Sequence, residues 1–241
     1  MPMESRIPAL RRNGALFLDI DGTLLEIAAT PEAVHMPAGL RELLRVLAAR
    51  QNGALALISG RPLADIDRLF GAGLPLAAEH GAILRDAAGW VSVCVRRPPV
   101  LDAIAGRLRE AIACQSGIFL EKKSFGIALH WRGAPGQAER LAALATDLAA
   151  AHPDLIVQPA HQAIEIRAAG ADKGRALKLL MRRPPFTGRL PMFVGDDVTD
   201  EAAIAEASRL GGVGLHVARD FGGSTAAVRA WLLAAVKGGH D

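Results

Sequence analysis

No tyrosine occurs among the 241 residues, and phenylalanine and tryptophan raise the aromatic share to only 4%. Proteins that hold single-stranded nucleic acid interleave stacking platforms with a basic stripe. This chain lacks the platforms, and its lysines and arginines are scattered, leaving a formal net charge of +3. Nucleic acid is therefore excluded as a partner, and the mild positive charge suits a small anionic molecule. Cysteine is scarce as well: Cys94 and Cys114 are too few for a disulfide framework and lack zinc spacing, so both read as small apolar residues. No run approaches the ~20 apolar residues of a membrane span. Near the N-terminus, Glu4 and Arg11-Arg12 precede an apolar stretch that Asp19 cuts short, which is not the plan of a signal peptide. The expectation is a cytosolic protein with no membrane partner, and a monomer by default.

What is present is core material. Apolar residues make up 51% and charged residues 22%, in a chain long enough for one large domain or a domain with an insertion. Residues 15–20 have the continuous apolar character of a buried strand. Residues 37–50 predict an amphipathic helix, with Pro37 in its first turn and Leu40, Leu43, Leu44 and Leu47 on one face. A strand over 54–58 follows, then a helix opened by Pro62 and closed before Gly71, then strand material over 76–97 with a turn at 86–89. Arg96-Arg97-Pro98-Pro99 interrupts regular structure. Beyond it come helix 100–114, strands 117–122 and 125–131, helix 136–151, and strands 154–158 and 162–167. This αββαββ insert repeats its own plan and carries seven basic and seven acidic residues, so it is no nucleic-acid arm. Alternation then resumes with helix 172–182 capped by Asp172, strand 191–194, helix 200–208, strand 212–217 and a last helix capped by Ser224. The predicted fold is α/β. Residues 1–97 and 169–241 form a Rossmann-like, mostly parallel sheet with helices on both faces, and 98–168 form an inserted α+β domain.

The chemistry gathers at strand ends. The strand 15–20 runs out into Asp19 and Asp21, followed at once by Gly22-Thr23. Side chains at i and i+2 leave a strand on the same side, and two anions there repel unless a cation lies between them or one is protonated. Ser59-Gly60-Arg61 ends the second strand, and Gly195-Asp196-Asp197 ends the strand 191–194. Ligands of open α/β sheets bind beyond the carboxyl ends of the strands, so the three ends can meet in one pocket. The acidic run continues to Asp200-Glu201. A helix start explains those two, because acids favour the positive end of the dipole. One cap does not require both Asp196 and Asp197, and the glycine and distal glutamate of an EF-hand are missing. Together with Asp19 and Asp21, the run is a candidate metal site. Lys173 stands in the first turn of a helix, where a cation opposes the dipole, and Gly174 beside it lowers helix propensity. That cost makes sense if Lys173 points at an anion. Ser59 reads either as a helix N-cap or as a phosphate contact. Glu79-His80-Gly81, Glu121-Lys122-Lys123, His130 and Arg132 are each explained by the solvent side of a strand, and the seven histidines show no metal spacing.

Taken in order, these motifs resemble the four of the haloacid dehalogenase-like phosphohydrolases. Asp19-Ile20-Asp21-Gly22-Thr23 is similar to the first, Ser59 to the second, Lys173 to the third and Gly195-Asp196-Asp197 to the fourth. The insert resembles the α+β cap of the superfamily's sugar phosphatases. Within them, Ser59-Gly60-Arg61-Pro62, Ala78-Glu79-His80-Gly81, Glu121-Lys122-Lys123, Ala128-Leu129-His130-Trp131-Arg132 and the run from Gly195 to Glu201 resemble trehalose-6-phosphate phosphatases. Sucrose-phosphate and mannosyl- or glucosyl-phosphoglycerate phosphatases share this core and cap, as do phosphomannomutases. One departure is Ala171, where asparagine is frequent before the Lys-Gly pair; Asp172 takes its place as cap.

The resemblance implies roles. Asp19 would be the nucleophile, and Mg²⁺ would be held by Asp19, the backbone carbonyl of Asp21 and Asp196, with Asp197 or Asp200 in support. Asp21 would move protons, and Ser59 and Lys173 would bind the phosphoryl oxygens. Gly22, Thr23, Gly60, Glu79 and His80 would belong to the substrate site. The cap would close over the sugar, with Glu121, Lys123 and Glu165 on glucosyl hydroxyls and Arg61, His130 and Arg132 as further contacts. The substrate expected is trehalose 6-phosphate, a small sugar phosphate. A phosphomutase would return the phosphate to sugar, and a non-catalytic metal-dependent binding module would have no need of Asp21.

Overall fold

Continuous apolar runs at Gly14–Leu18 (β1) and Leu55–Ile58 (β2) are buried at every residue, as strands covered on both faces must be. The structure, a computed structural model, describes residues 7–11, 13–28, 33–160 and 162–238; Glu4, Arg12, His161 and His240 lie outside them. Two compact units emerge, one of Met1–Ser92 with Asp172–Asp241 and one of Val93–Ala171.

In the first unit, β1 is followed by α1 (Leu40–Arg50), β2, α2 (Leu63–Phe70), β3 (Leu76–Ala78), β4 (Ile83–Arg85) and β5 (Val91–Val93). The α1 helix begins three residues later than expected. Pro37 lies in the preceding turn, its carbonyl accepting from the Leu40 amide, rather than inside the helix. After the insert come α5 (Lys173–Met181), β10 (Leu190–Gly195), α6 (Glu201–Arg209), β11 (Val213–His216), α7 (Val217–Asp220) and α8 (Thr225–Lys237). The four-residue α7 was not foreseen; too short for a periodic signal, it is capped by the His216 ring, which accepts from the Ala218 amide. Both helix caps read from the sequence are in place, Asp172 accepting from the Arg175 amide and Ser224 from the Ala227 amide.

The strands form one seven-stranded sheet in the order β11-β10-β1-β2-β3-β4-β5, parallel from β11 to β3, with β4 antiparallel to β3. Leu16, Leu18, Leu55, Leu57 and Val194 face a core shared with α1, α2 and α8. In register, Leu18 lies beside Val194 of β10 and Leu57 of β2, so the carboxyl ends of these three strands fall at one level. That alignment decides where Asp19, Ser59 and Asp196 emerge.

The second unit contains α3 (Leu101–Ile112), β6 (Phe119–Lys122), β7 (Gly126–His130), α4 (Ala138–Ala149), β8 (Leu155–Ala160) and β9 (Ala163–Ala168). Its antiparallel sheet runs β6-β7-β9-β8, so the two αββ repeats join through their second strands. One sheet face, with Ile127, Leu129, Ile164 and Ile166, buries against Leu101, Leu108, Leu141 and Ala145 of α3 and α4. By the two-residue period, the other face carries Phe119, Glu121, Lys123, His130, Glu165 and Arg167. Of the cysteines read as packing residues, Cys94 is half-buried but Cys114 is exposed just past the end of α3. Among the described residues no helix is long and apolar enough to cross a membrane.

Candidate active site

β1 stops at Leu18, where the Asp19 amide donates to the Val194 carbonyl of β10 at 3.0 Å. The chain then curls: the amides of Leu24 and Leu25 donate back to the Ile20 carbonyl, and the Gly22 amide to the Leu25 carbonyl. A tight loop, rather than a continuing strand, therefore presents Asp21 and Gly22. Gly22 has φ +80°, and a Cβ there would collide with the Asp196 carboxylate, so only glycine admits this approach. Thr23, fully buried, donates its hydroxyl to Asp196 Oδ1 at 3.3 Å.

Lys173 opens α5 and is buried with its ammonium between two carboxylates, 2.7 Å from Asp19 Oδ1 and 2.6 Å from Asp200 Oδ1. Asp200 is wholly buried, and its second oxygen accepts from the amides of Asp196 and Asp197 at 3.0 and 3.1 Å. It thus joins the turn after β10 to Lys173. The Asp197 side chain caps that turn, accepting from the Val198 amide at 2.7 Å.

Three carboxylates gather beside one ammonium, and the proton affinities of Asp19 and Asp196 are raised. Burial, then the Asp200 charge, pushes the Asp19 carboxyl well above its ordinary value against the pull of Lys173. Burial and Asp200 likewise push Asp196 up to about 6. Burial alone would depress the Lys173 ammonium, but Asp19 and Asp200 outweigh it and hold the proton more tightly than usual. Oxygen atoms of Asp19, Asp196 and Asp200 lie within 4.8 Å of one another. An all-oxygen, net-negative set of this kind fits a hard divalent cation.

Ser59 follows β2 and is almost completely buried. Its Oγ accepts from the Arg61 amide at 3.1 Å, which leaves the hydroxyl hydrogen for another acceptor. The Ser59-Gly60-Arg61 turn is tied to the next strand end: the His80 amide donates to the Ser59 carbonyl and the Glu79 amide to the Arg61 carbonyl. Glu79 and His80 have φ of 46° and 57°, a left-handed pair of non-glycine residues that costs energy and persists because the surroundings hold it. The His80 ring packs so closely on Gly60 that a Cβ there would lie 2.6 Å from Nε2.

Arg61 makes a contact that no sequence signal announced. Its Nε and Nη2 donate to the two oxygens of Asp21, each at 2.6 Å, with the arginine side chain buried. Forty residues separate the pair, and only the parallel pairing of β1 with β2 brings them together. The two aspartates at the end of β1 therefore have different cations, Lys173 for Asp19 and Arg61 for Asp21.

In the second unit, Glu121, Lys123, His130 and Glu165 share one sheet face. Lys123 Nζ lies 2.9 Å from Glu165 Oε1, and His130 Nε2 lies 3.0 Å from Glu121 Oε2. Arg132, beyond the end of β7, donates to Gln162 at 3.0 Å instead of joining this group. Two residues of the same face escaped notice: Arg167 Nε donates to Gln158 Oε1 at 2.9 Å. The alternation Glu165, Arg167 along β9 was the available signal.

In fold, this arrangement of a mostly parallel sheet and a separate α+β unit is similar to that of a haloacid dehalogenase-like hydrolase from Bacteroides thetaiotaomicron, which superposes with a TM-score of 0.59 at 14% identity, covering 80% of this chain and 85% of that one. The chain belongs to the trehalose-phosphatase family, whose model matches residues 17–231. The trehalose-6-phosphate phosphatase of Escherichia coli is 37% identical over 230 residues, covering 95% of this chain and 85% of that one. A probable trehalose-phosphate phosphatase of Sinorhizobium fredii is 41% identical over 207 residues, covering 85% and 78%. In fold, the C-terminal domain of the Candida albicans trehalose-6-phosphate phosphatase superposes with a TM-score of 0.73 at 24% identity, covering 84% of this chain and 80% of that one.

Proposed function

We propose that this chain hydrolyses trehalose 6-phosphate to trehalose and inorganic phosphate. The observation that carries the reading is Asp19, buried at the end of β1 and held by Lys173 at 2.7 Å beside Asp196 and Asp200. In the first half-reaction an Asp19 oxygen attacks phosphorus, the bond to the sugar oxygen breaks, and an aspartyl phosphate forms. Asp21 gives the departing sugar oxygen a proton. In the second half-reaction Asp21 takes a proton from water, whose oxygen attacks phosphorus and regenerates Asp19. Arg61, gripping both oxygens of Asp21, fixes the direction in which that carboxyl faces.

Lys173 has three hydrogens and two acceptors in Asp19 and Asp200, so the third can meet a phosphoryl oxygen. Ser59 donates its hydroxyl hydrogen in the same way. Mg²⁺, held by Asp19, Asp196 and the backbone carbonyl of Asp21 with Asp200 ordering them, would offset the repulsion between the attacking carboxylate and the phosphate dianion. The second unit selects the sugar through Glu121, Lys123 and Glu165, because a site built for hydroxyls discriminates against ligands that leave its groups unpaired.

Release of inorganic phosphate, measured with Mg²⁺ across trehalose 6-phosphate, sucrose 6-phosphate and glucosyl-3-phosphoglycerate, tests the proposal. A marked preference for trehalose 6-phosphate is expected. Equal rates on all three would overturn the substrate, and isomerised sugar phosphate without net phosphate release would point to a mutase.

A further inference from the structure

The polar sheet face of the second unit holds a contact that hydroxyl binding alone does not explain. Phe119 and His130 are register partners across β6 and β7, as are Glu121 and Ala128, so His130 lies diagonal to Glu121 on one face. The imidazole stacks on the Phe119 ring with centroids 4.3 Å apart and planes 7° from parallel. That stack sets the ring plane, and within it Nε2 reaches Glu121 Oε2 at 3.0 Å. Burial would raise the Glu121 carboxyl, but the His130 hydrogen bond and the Lys123 charge outweigh it, so the group is an ionised acceptor and Nε2–H the donor. One carboxylate oxygen is thereby tied, and the carboxylate plane is set for its partner, Oε1. Glu165 is restrained in the same manner by Lys123.

We propose that His130 is a positioning residue for sugar recognition: stacked on Phe119, it holds Glu121 in the orientation in which its carboxylate accepts from a glucosyl hydroxyl, and does not touch the sugar itself. This rests on the reading of Glu121 as a sugar contact. A glutamate that must be ordered on binding loses affinity to the entropy of its side chain, several-fold to about tenfold for one long residue. A prearranged one does not.

The experiment is a double-mutant cycle with trehalose 6-phosphate, comparing His130→Ala, Glu121→Gln and the double variant, with His130→Gln as the conservative replacement. His130→Ala should raise KM about tenfold while changing kcat much less. His130→Gln, which keeps an N–H within reach of Oε2, should recover most of the loss. In the Glu121→Gln background, removal of His130 should add nothing. Additive penalties would mean that His130 contacts the sugar directly and would overturn the proposal. So would an unchanged KM in His130→Ala when Glu121→Gln raises it. An unchanged KM in Glu121→Gln would overturn the parent reading of Glu121 as well. If His130→Ala does not fold, judged by circular dichroism and thermal unfolding, His130→Asn, too short to reach Oε2, takes its place in the cycle.

Discussion

The two charged clusters of this protein are built on opposite principles. Beyond the carboxyl end of the parallel sheet, Asp19, Asp196 and Asp200 gather beside the one ammonium of Lys173, which meets Asp19 and Asp200 directly, and burial followed by the Asp200 charge raises the proton affinity of Asp19 and Asp196. On the antiparallel sheet, Glu121 is hydrogen-bonded to His130 and Glu165 to Lys123, one donor for each acid. A cluster with excess charge is unfinished until a cation joins it, and such a site suits an anionic group in transfer. A cluster in which each acid is held by its own donor can hydrogen-bond a neutral polyol without changing its own charge. The contrast divides the proposed work, phosphoryl chemistry in one unit and sugar selection in the other.

Substitutions can break that division, and the largest effect belongs to the proposed nucleophile. Asp19→Asn should lower kcat by at least ~10³-fold while circular dichroism and the melting profile report an intact fold; steady phosphate release by this variant would sink the assignment. Lys173 and Lys123, each bonded to a carboxylate, offer a matched pair. Lys173→Met should depress kcat by about 10²–10³-fold on any phosphate ester, since it removes the group proposed to meet the transferring phosphoryl. It should also destabilise the metal-free protein by about 3 kcal/mol, read from denaturant unfolding. Lys123→Met should instead act mainly on KM for trehalose 6-phosphate, by about tenfold or more. Both variants losing kcat alike would erase the distinction between the units.

Arg61→Lys is a smaller test, because the charge stays while the two-pronged grip on Asp21 is lost; kcat should fall about tenfold. An unchanged kcat would show that Asp21 needs no such orientation. The smallest effect concerns pH. Asp196, pushed up to about 6, and Asp19, raised as well, hold protons in the metal-free fold that an unfolded chain has already released. The stability these protons confer is lost as pH climbs through about 6, whereas a bound cation requires the ionised carboxylates. The rise in Tm caused by Mg²⁺ over EDTA should therefore grow by about 5 °C between pH 5 and pH 7. An identical rise at both values would show that surplus charge is not what draws the cation.

Much of this molecule was readable before any coordinate. Buried strands announced themselves by unbroken apolar runs, and the helix caps at Asp172 and Ser224 by short polar side chains placed before helical patterns. Lys173 was suspicious because it sits where a helix dipole resists a cation, and it does meet two anions. Other features left no local trace. Thr23 on Asp196 and Arg61 on Asp21 join residues 173 and 40 positions apart, and nothing in the identity of a threonine or an arginine names so distant a partner. The left-handed Glu79-His80 pair was also invisible, because propensity disfavours it and it is held by tertiary contacts, the amide bonds to the Ser59-Gly60-Arg61 turn and the packing of His80 against Gly60.

By itself, the sequence determined the elements, their order and the residue types delivered to each strand end, since periodicity and capping are properties of neighbours along the chain. Tertiary structure decided which cation each carboxylate meets. Asp19 and Asp21 are nearly adjacent and chemically identical, yet one lies on Lys173 in a buried, over-charged cluster and the other in the fork of Arg61. Strand register and a tight loop send them to different cations, and the partner a carboxylate meets decides what it can do.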